Sequence, residues 1–151
     1  MKLYFISKIK YLTLIILLSI LDQFSKIYIH YNFDKLLNKD FIIFKIDFVR
    51  NYGAAFNILS GNRFFLSFIS VISTIILSYL IFKKNNNSIN KYGLTLILAG
   101  SVGNGIDRIL NGYVIDFIKI KFINFPVFNI ADIVINIGVL ILIISYFRYK
   151  H

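Results

Sequence analysis

Residues 128–147 read FNIADIVINIGVLILIISYF, and at about 1.5 Å per helical residue these twenty span the roughly 30 Å of a bilayer core. The run nevertheless opens with Asn129 and Asp132, which a simple membrane anchor would not carry. Three further stretches of similar length and character are Tyr11–His30, Arg63–Phe82 and Tyr92–Leu110. The 151 residues are 58% hydrophobic and 17% aromatic with a single proline. That composition predicts an integral membrane protein, mainly α, with four transmembrane helices in one polytopic domain over residues 1–151.

The N-terminus, with Lys2, Lys8 and Lys10 ahead of an apolar run, imitates a secretory signal peptide. Against cleavage stand the length of the run, Asp22 and Lys26 within it, and the lack of a small-x-small site at its end. The chain has no cysteine, and its two histidines, His30 and His151, sit at segment ends. Thiol catalysis, a histidine metal site and a histidine-assisted serine are therefore not expected, nor is any cofactor or metal.

The net charge of +10 does not imply nucleic acid, because the bases are spread around the spans without an aromatic-interleaved patch. Lys2, Lys8, Lys10, then Lys83, Lys84, Lys91, then Arg148 and Lys150 fall in three short segments that contain no acid. By the positive-inside rule both termini and the 83–91 loop are expected in the cytoplasm. All seven acidic residues are aspartates, at 22, 34, 40, 47, 107, 116 and 132, and that topology gathers them towards the outer ends of the helices.

Between the first two spans Ile42, Phe44, Ile46 and Phe48 alternate with Lys45 and Asp47; after the third, Ile118, Ile120 and Phe122 alternate with Lys119 and Lys121. Period two predicts β segments over about 40–50 and 114–122, a small sheet (a cradle) on the outer face able to hold a substrate chain extended.

Polar residues recur on single helical faces: Ser19, Asp22 and Lys26; Ser101, Asn104, Asp107 and Arg108; Asn129, Asp132 and Asn136. An ionised group costs about 2.5 to 3.5 kcal/mol at a helix centre, so such stripes are expected to meet inside the bundle. For Asp22 with Lys26, and Asp107 with Arg108, structural ion pairing explains the residues at least as well as chemistry. Ser67, Ser70, Thr74 and Ser78 read as packing hydroxyls, and Gly100 and Gly103 as close-contact positions. Asp116 and Asp132 differ, since neither has a base within one helical turn. Asp132 lies in a helical first turn, where the dipole favours an anion. Asp116 shares strand parity with Ile118 and Ile120, an apolar setting that raises a carboxyl pKa. Two carboxylates in unlike settings can divide the roles of general base and general acid.

The ordered motifs DQFSK (Asp22–Lys26), NYGAAF (Asn51–Phe56), GNGIDR (Gly103–Arg108), VIDF (Val114–Phe117) and FNIAD (Phe128–Asp132) resemble those of the lipoprotein signal peptidase (signal peptidase II) family. The resemblance implies an aspartic endopeptidase of the bacterial inner membrane, which removes signal peptides from prolipoproteins by cutting before a diacylglyceryl-modified cysteine. It implies Asp116 and Asp132 as the catalytic pair, and Asp22, Lys26, Asn51, Gly53, Asn104, Arg108 and Asn129 as residues that shape the substrate pocket or support the pair. Asp107 is assigned a supporting role. The implied partners are diacylglyceryl-prolipoproteins and membrane lipids, with no nucleic acid, no metal, and a monomer expected. Two departures are AGSVGN, where Ser101 takes a small-residue position, and KFINFPV, which has no tryptophan.

Three rivals predict something different. A small transporter would distribute its acids through the membrane depth, an assembly subunit would leave no acid unpartnered, and a presenilin-type protease needs G-x-G-D and more spans.

Overall fold

In the computed structural model residues 2–36, 39–54, 58–83 and 87–149 are described. Ala55 and Phe56, the end of the NYGAAF stretch, lie outside these residues, as do Lys84, Lys150 and His151. The elements are α1 (Lys2–Leu36), β1 (Phe44–Asn51), α2 (Arg63–Phe82), α3 (Ser88–Leu110), β2 (Val114–Ile120) and α4 (Ile130–Tyr149).

The first helix is longer at both ends than its apolar core. No glycine or proline interrupts residues 2–36, so nothing stops it until Asn32, whose φ of −114° and ψ of 16° leave the helical region. There the Asn32 side-chain amide donates to the Tyr28 carbonyl at 3.0 Å. The third helix begins four residues before Tyr92 because Asn87 caps it, its side-chain oxygen accepting from the Ile89 N–H at 3.2 Å. Asn62 caps α2 in the same way, accepting from the Phe65 N–H. At the other end of α3, Arg63 from the start of α2 donates to the carbonyls of Arg108, Ile109 and Leu110. The orphan acceptors of one helix are thus satisfied by the first residue of its neighbour.

Lys8–Leu36, Arg63–Phe82 and Ile130–Arg148 are long and apolar enough to cross a membrane. Their exposed Leu17, Ile20, Phe24, Phe64, Ile75, Leu140 and Ile144 form the surface that hydrocarbon covers. The third helix is less apolar for a physical reason: it packs against α1, α2 and α4. It therefore buries Thr95, Asn104 and Asp107 along with Leu98 and Ala99 instead of presenting them to lipid. Its crossing with α4 depends on glycine. A Cβ at Gly100 would collide with the Ala131 carbonyl oxygen, and one at Gly138 would lie 2.6 Å from the Gly93 carbonyl oxygen. Gly100→Ala is expected to destabilise the bundle by about 1 to 3 kcal/mol, the usual range for overpacking. A lowered midpoint of thermal unfolding in detergent would register it, and an unchanged midpoint would contradict the crossing.

The two strands pair antiparallel, with Phe44 opposite Ile120 and Asn51 opposite Val114, and the register shifts between Ile46 and Val49. The first strand starts later than alternation predicts, because the chain turns back on itself just before it. The Phe41 N–H donates to the Phe44 carbonyl at 2.9 Å and the Ile46 N–H to the Lys39 carbonyl. Ile42 falls in that turn and is 88% exposed, whereas Ile46 and Phe48 pack against Ile29, Ile115 and Phe117. This cluster ties the sheet to the C-terminal half of α1. The second strand ends at Ile120, leaving Phe122 exposed beyond it.

Candidate active site

Asn129 and Asp132 stand at the start of α4 for a local reason before any chemical one. The Asp132 N–H donates to the Asn129 side-chain oxygen at 3.0 Å, and Asp132 Oδ2 accepts from the Asn129 N–H at 3.2 Å. This is a capping box written with asparagine and aspartate, and it satisfies two orphan donors reciprocally. A third, the Ala131 N–H, donates to Asp22 Oδ1 at 2.9 Å. The fully buried Asn129 side chain then reaches beyond its helix. Its amide donates to Asp116 Oδ1 at 2.7 Å, with longer contacts to Asn104 Oδ1 and the Ile115 carbonyl. One asparagine thus contacts both carboxylates.

Asp116 enters from β2, where Val114, Asp116 and Ile120 line the same cavity while Ile115 and Phe117 turn into the core. Ile118 packs against that core cluster too, so parity describes the strand only in part. Asp116 is 2% exposed. Its second oxygen accepts from the Asn51 amide at 3.0 Å, and Asn51 Oδ1 accepts from the Gly53 N–H at 2.9 Å. The Gly53 carbonyl is held by the Arg108 guanidinium at 3.0 Å. Burial, reinforced by the nearby Asp132 charge and opposed by the two asparagine amides, pushes the Asp116 carboxyl up to about 7.

Behind the carboxylates lies a buried ionic cluster. Lys26 Nζ is 2.7 Å from Asp22 and 3.0 Å from Asp107, with Lys26 and Asp22 each 1% exposed. The same ammonium donates to Asn104 Oδ1 at 2.9 Å, and the Asn104 amide donates to Asp132 Oδ1 at 2.8 Å. Asn104 is oriented unambiguously, since its oxygen must face the ammonium and its amide therefore faces the carboxylate. Structural pairing is the arrangement of Asp22, Lys26 and Asp107. The expected Asp107–Arg108 pair is not formed: Lys26 takes Asp107, because adjacent helical residues point about 100° apart. Arg108 binds the Gly53 and Asn104 carbonyls instead.

Gln23 joins this cluster without having been singled out. Its amide donates to the Gly103 carbonyl at 3.0 Å and to Asp107 Oδ1 at 3.1 Å. An amide beside Asp22 within an apolar span was the available signal. Asp40 and Asp47 lie apart, in exposed pairs with Lys121 and Lys119, worth about 0.2 to 1 kcal/mol each. Of the hydroxyl stripe on α2, Ser70 and Thr74 donate to their own helix's carbonyls at 3.0 and 2.8 Å.

Asn51, Asn104, Arg108, Asp116 and Asp132 open onto one cavity of about 520 Å³ between α2, α3, α4 and β2. Two carboxylates on one cavity, with amides fixed against both, can activate a water and protonate a leaving nitrogen.

The family described as Signal peptidase (SPase) II matches residues 14–148. The lipoprotein signal peptidase of Lactiplantibacillus plantarum is 36% identical over 140 residues, covering 91% of this chain and 94% of that protein. That of Microcystis aeruginosa is 40% identical over 135 residues, covering 87% of each. A solved structure described as a bacterial membrane enzyme superposes with a TM-score of 0.84 at 35% identity, covering 93% of this chain and 89% of that one. Motif order, site geometry and these likenesses agree: the chain belongs to the signal peptidase II family.

Proposed function

We propose that Asp116 and Asp132 are the catalytic pair of this enzyme, a membrane aspartic endopeptidase that cleaves the signal peptides of prolipoproteins. The observation that carries the assignment is Asn129, which donates to Asp116 and forms the capping box with Asp132. Asp116, protonated near neutrality, starts as the acid. Asp132 starts as the base: donors stand at both its oxygens, fixing it as an acceptor for a water proton. Water adds to the scissile carbonyl as Asp132 takes its proton. Asp116 then delivers a proton to the departing nitrogen, and the C–N bond breaks. Asn51, Gly53 and Arg108 form a relay that holds Asp116, while Asp22, Lys26 and Asn104 hold Asp132.

The bond cut is the one before a diacylglyceryl-modified cysteine. A lipid-bearing residue stays at the bilayer surface, and carboxylates at helix ends meet a peptide there. The topology follows from charge. At the end of the bundle opposite the pair, Lys10 lies over the Tyr11 and Tyr92 rings, and Lys8 and Lys83 over Phe82 and Tyr79. That base-rich end faces the cytoplasm, with both termini, and the pair faces outward in the inner membrane. The working unit in this reading is a monomer.

The test uses purified protein and paired synthetic peptides, with and without diacylglycerol on the cysteine. Mass spectrometry should find cleavage before the lipidated cysteine only. Equal cleavage of both peptides, or of neither, would remove the substrate assignment.

A pH profile examines the roles. If Asp116 must carry a proton, kcat/KM falls about tenfold per unit above its free-enzyme pKa near 7. Stability should change in the same direction. A folded-state pKa above the unfolded value of about 3.9 means the unfolded chain binds fewer protons between the two. The stabilising contribution is therefore present at low pH and lost as pH rises through about 7. Asp116→Asn should abolish that dependence of stability, and a kcat/KM that stays flat to pH 9 would exclude Asp116 as the acid.

A further inference from the structure

Below the carboxylates the cavity continues towards the middle of the bundle, where a few polar side chains stand among the apolar Ile69, Ile133 and Ile135. Ser73 of α2, Ser101 of α3 and Asn136 of α4 line it. Asn136 follows Asp132 by one helical turn and Ser101 precedes Asn104 by about one, so both lie about 5 to 6 Å deeper than the catalytic groups. Among the described residues the side chain of none of the three makes a hydrogen bond, unlike Ser70 and Thr74, which close onto their own helix. Asn136 is exposed, an amide left open within an apolar span.

Three unpaired polar side chains, on three helices around one cavity, call for a ligand that brings its own hydrogen-bonding groups to that depth. A signal peptide crosses hydrocarbon as a helix whose amides are internally satisfied. For its bond to reach the carboxylates the last turn must open, and opened residues expose N–H and C=O groups that need new partners at that depth.

We propose that Ser73, Ser101 and Asn136 form a belt that holds the opened backbone of the signal peptide two to three residues before the scissile bond. The register follows from length: an extended chain advances about 3.4 Å per residue, so two residues cover the depth between carboxylates and belt. The inference rests on the substrate reading above and adds to it the groups that stabilise the unwound segment. Ser73, Ser101 and Asn136 act as positioning residues, since they lie away from the reacting atoms.

The test compares the full-length protein with Asn136→Leu and Ser101→Ala, on a lipidated prolipoprotein peptide and on analogues with one ester replacing the amide two or three residues before the cut. The ester removes an N–H and weakens the adjoining carbonyl as an acceptor. On the all-amide peptide, Asn136→Leu should lower kcat/KM about tenfold through KM, with kcat within about twofold, as expected for a uniform binding contact. Ser101→Ala should do the same about threefold. On one of the ester analogues the variants should lose no more than wild type. Wild-type efficiency in both variants, or an equal loss on every peptide whatever its backbone, would overturn the belt. Failure of wild type to cut any lipidated peptide would instead overturn the substrate reading, and the belt with it.

Discussion

Asp132→Asn and Asp116→Asn are each expected to lower kcat for signal-peptide cleavage by about 10²- to 10⁴-fold, the range for removing a positioned acid or base. The substitutions change charge far more than shape. At Asp116 the carboxylate accepts two side-chain amides, from Asn51 and Asn129. An asparagine there retains one acceptor and turns its own NH2 against the other amide. At Asp132 the oxygen that closes the capping box is retained if the new amide nitrogen faces Asn104, where it meets a donor. Each variant therefore carries one mispaired amide, a cost of about 1 to 3 kcal/mol, and both should fold. Because acid and base act on one water and one peptide, the double variant should be hardly slower than either single variant. Kinetics on the lipidated peptide, with thermal unfolding measured in parallel, would decide. If a single variant keeps more than a tenth of wild-type kcat while folded, that residue is not in the catalytic pair.

Much of this site was legible because polar residues in an apolar chain have few reasons to be there. The helical spacing of Ser19, Asp22 and Lys26 placed one ion pair correctly. The isolation of Asp116 and Asp132 from nearby bases distinguished them from Asp107. What spacing does not report is contact between segments. Asp107 pairs with a lysine about eighty positions away in the chain instead of its adjacent arginine, and nothing local to α3 encodes that choice. Helix ends were misplaced where side chains set them. Asn87 begins α3 within a loop that reads as merely polar, and Asn32 ends the regular part of α1 beyond the hydrophobic core. Strand alternation failed at Ile42 because a turn stabilised by backbone hydrogen bonds, which carry no hydrophobic signature, reverses the chain there.

Lys26→Met is expected to be the most damaging single substitution outside the catalytic pair. The ammonium compensates two buried carboxylates, Asp22 and Asp107, and orients Asn104. Methionine matches its length and volume without its charge, so the loss is electrostatic and not a cavity. Removing one member of a buried ionic group costs about 3 to 5 kcal/mol, since the partners remain desolvated. Here two acids would be left facing each other through Gln23, which contacts both. One consequence reaches the start of α4, because Asp22 also accepts from the Ala131 N–H, and its displacement would loosen the first turn that carries Asp132. Another reaches the chemistry, because Asn104 loses the ammonium that its oxygen faces and is held less firmly against Asp132. The triple change Lys26→Met, Asp22→Asn, Asp107→Asn should therefore recover much of the lost stability, since neutral groups pay less for burial, while activity stays low. Unfolding midpoints and kcat measured on the single and triple variants would separate the two effects. A Lys26→Met protein as stable as wild type would mean that the cluster does not hold the helices together.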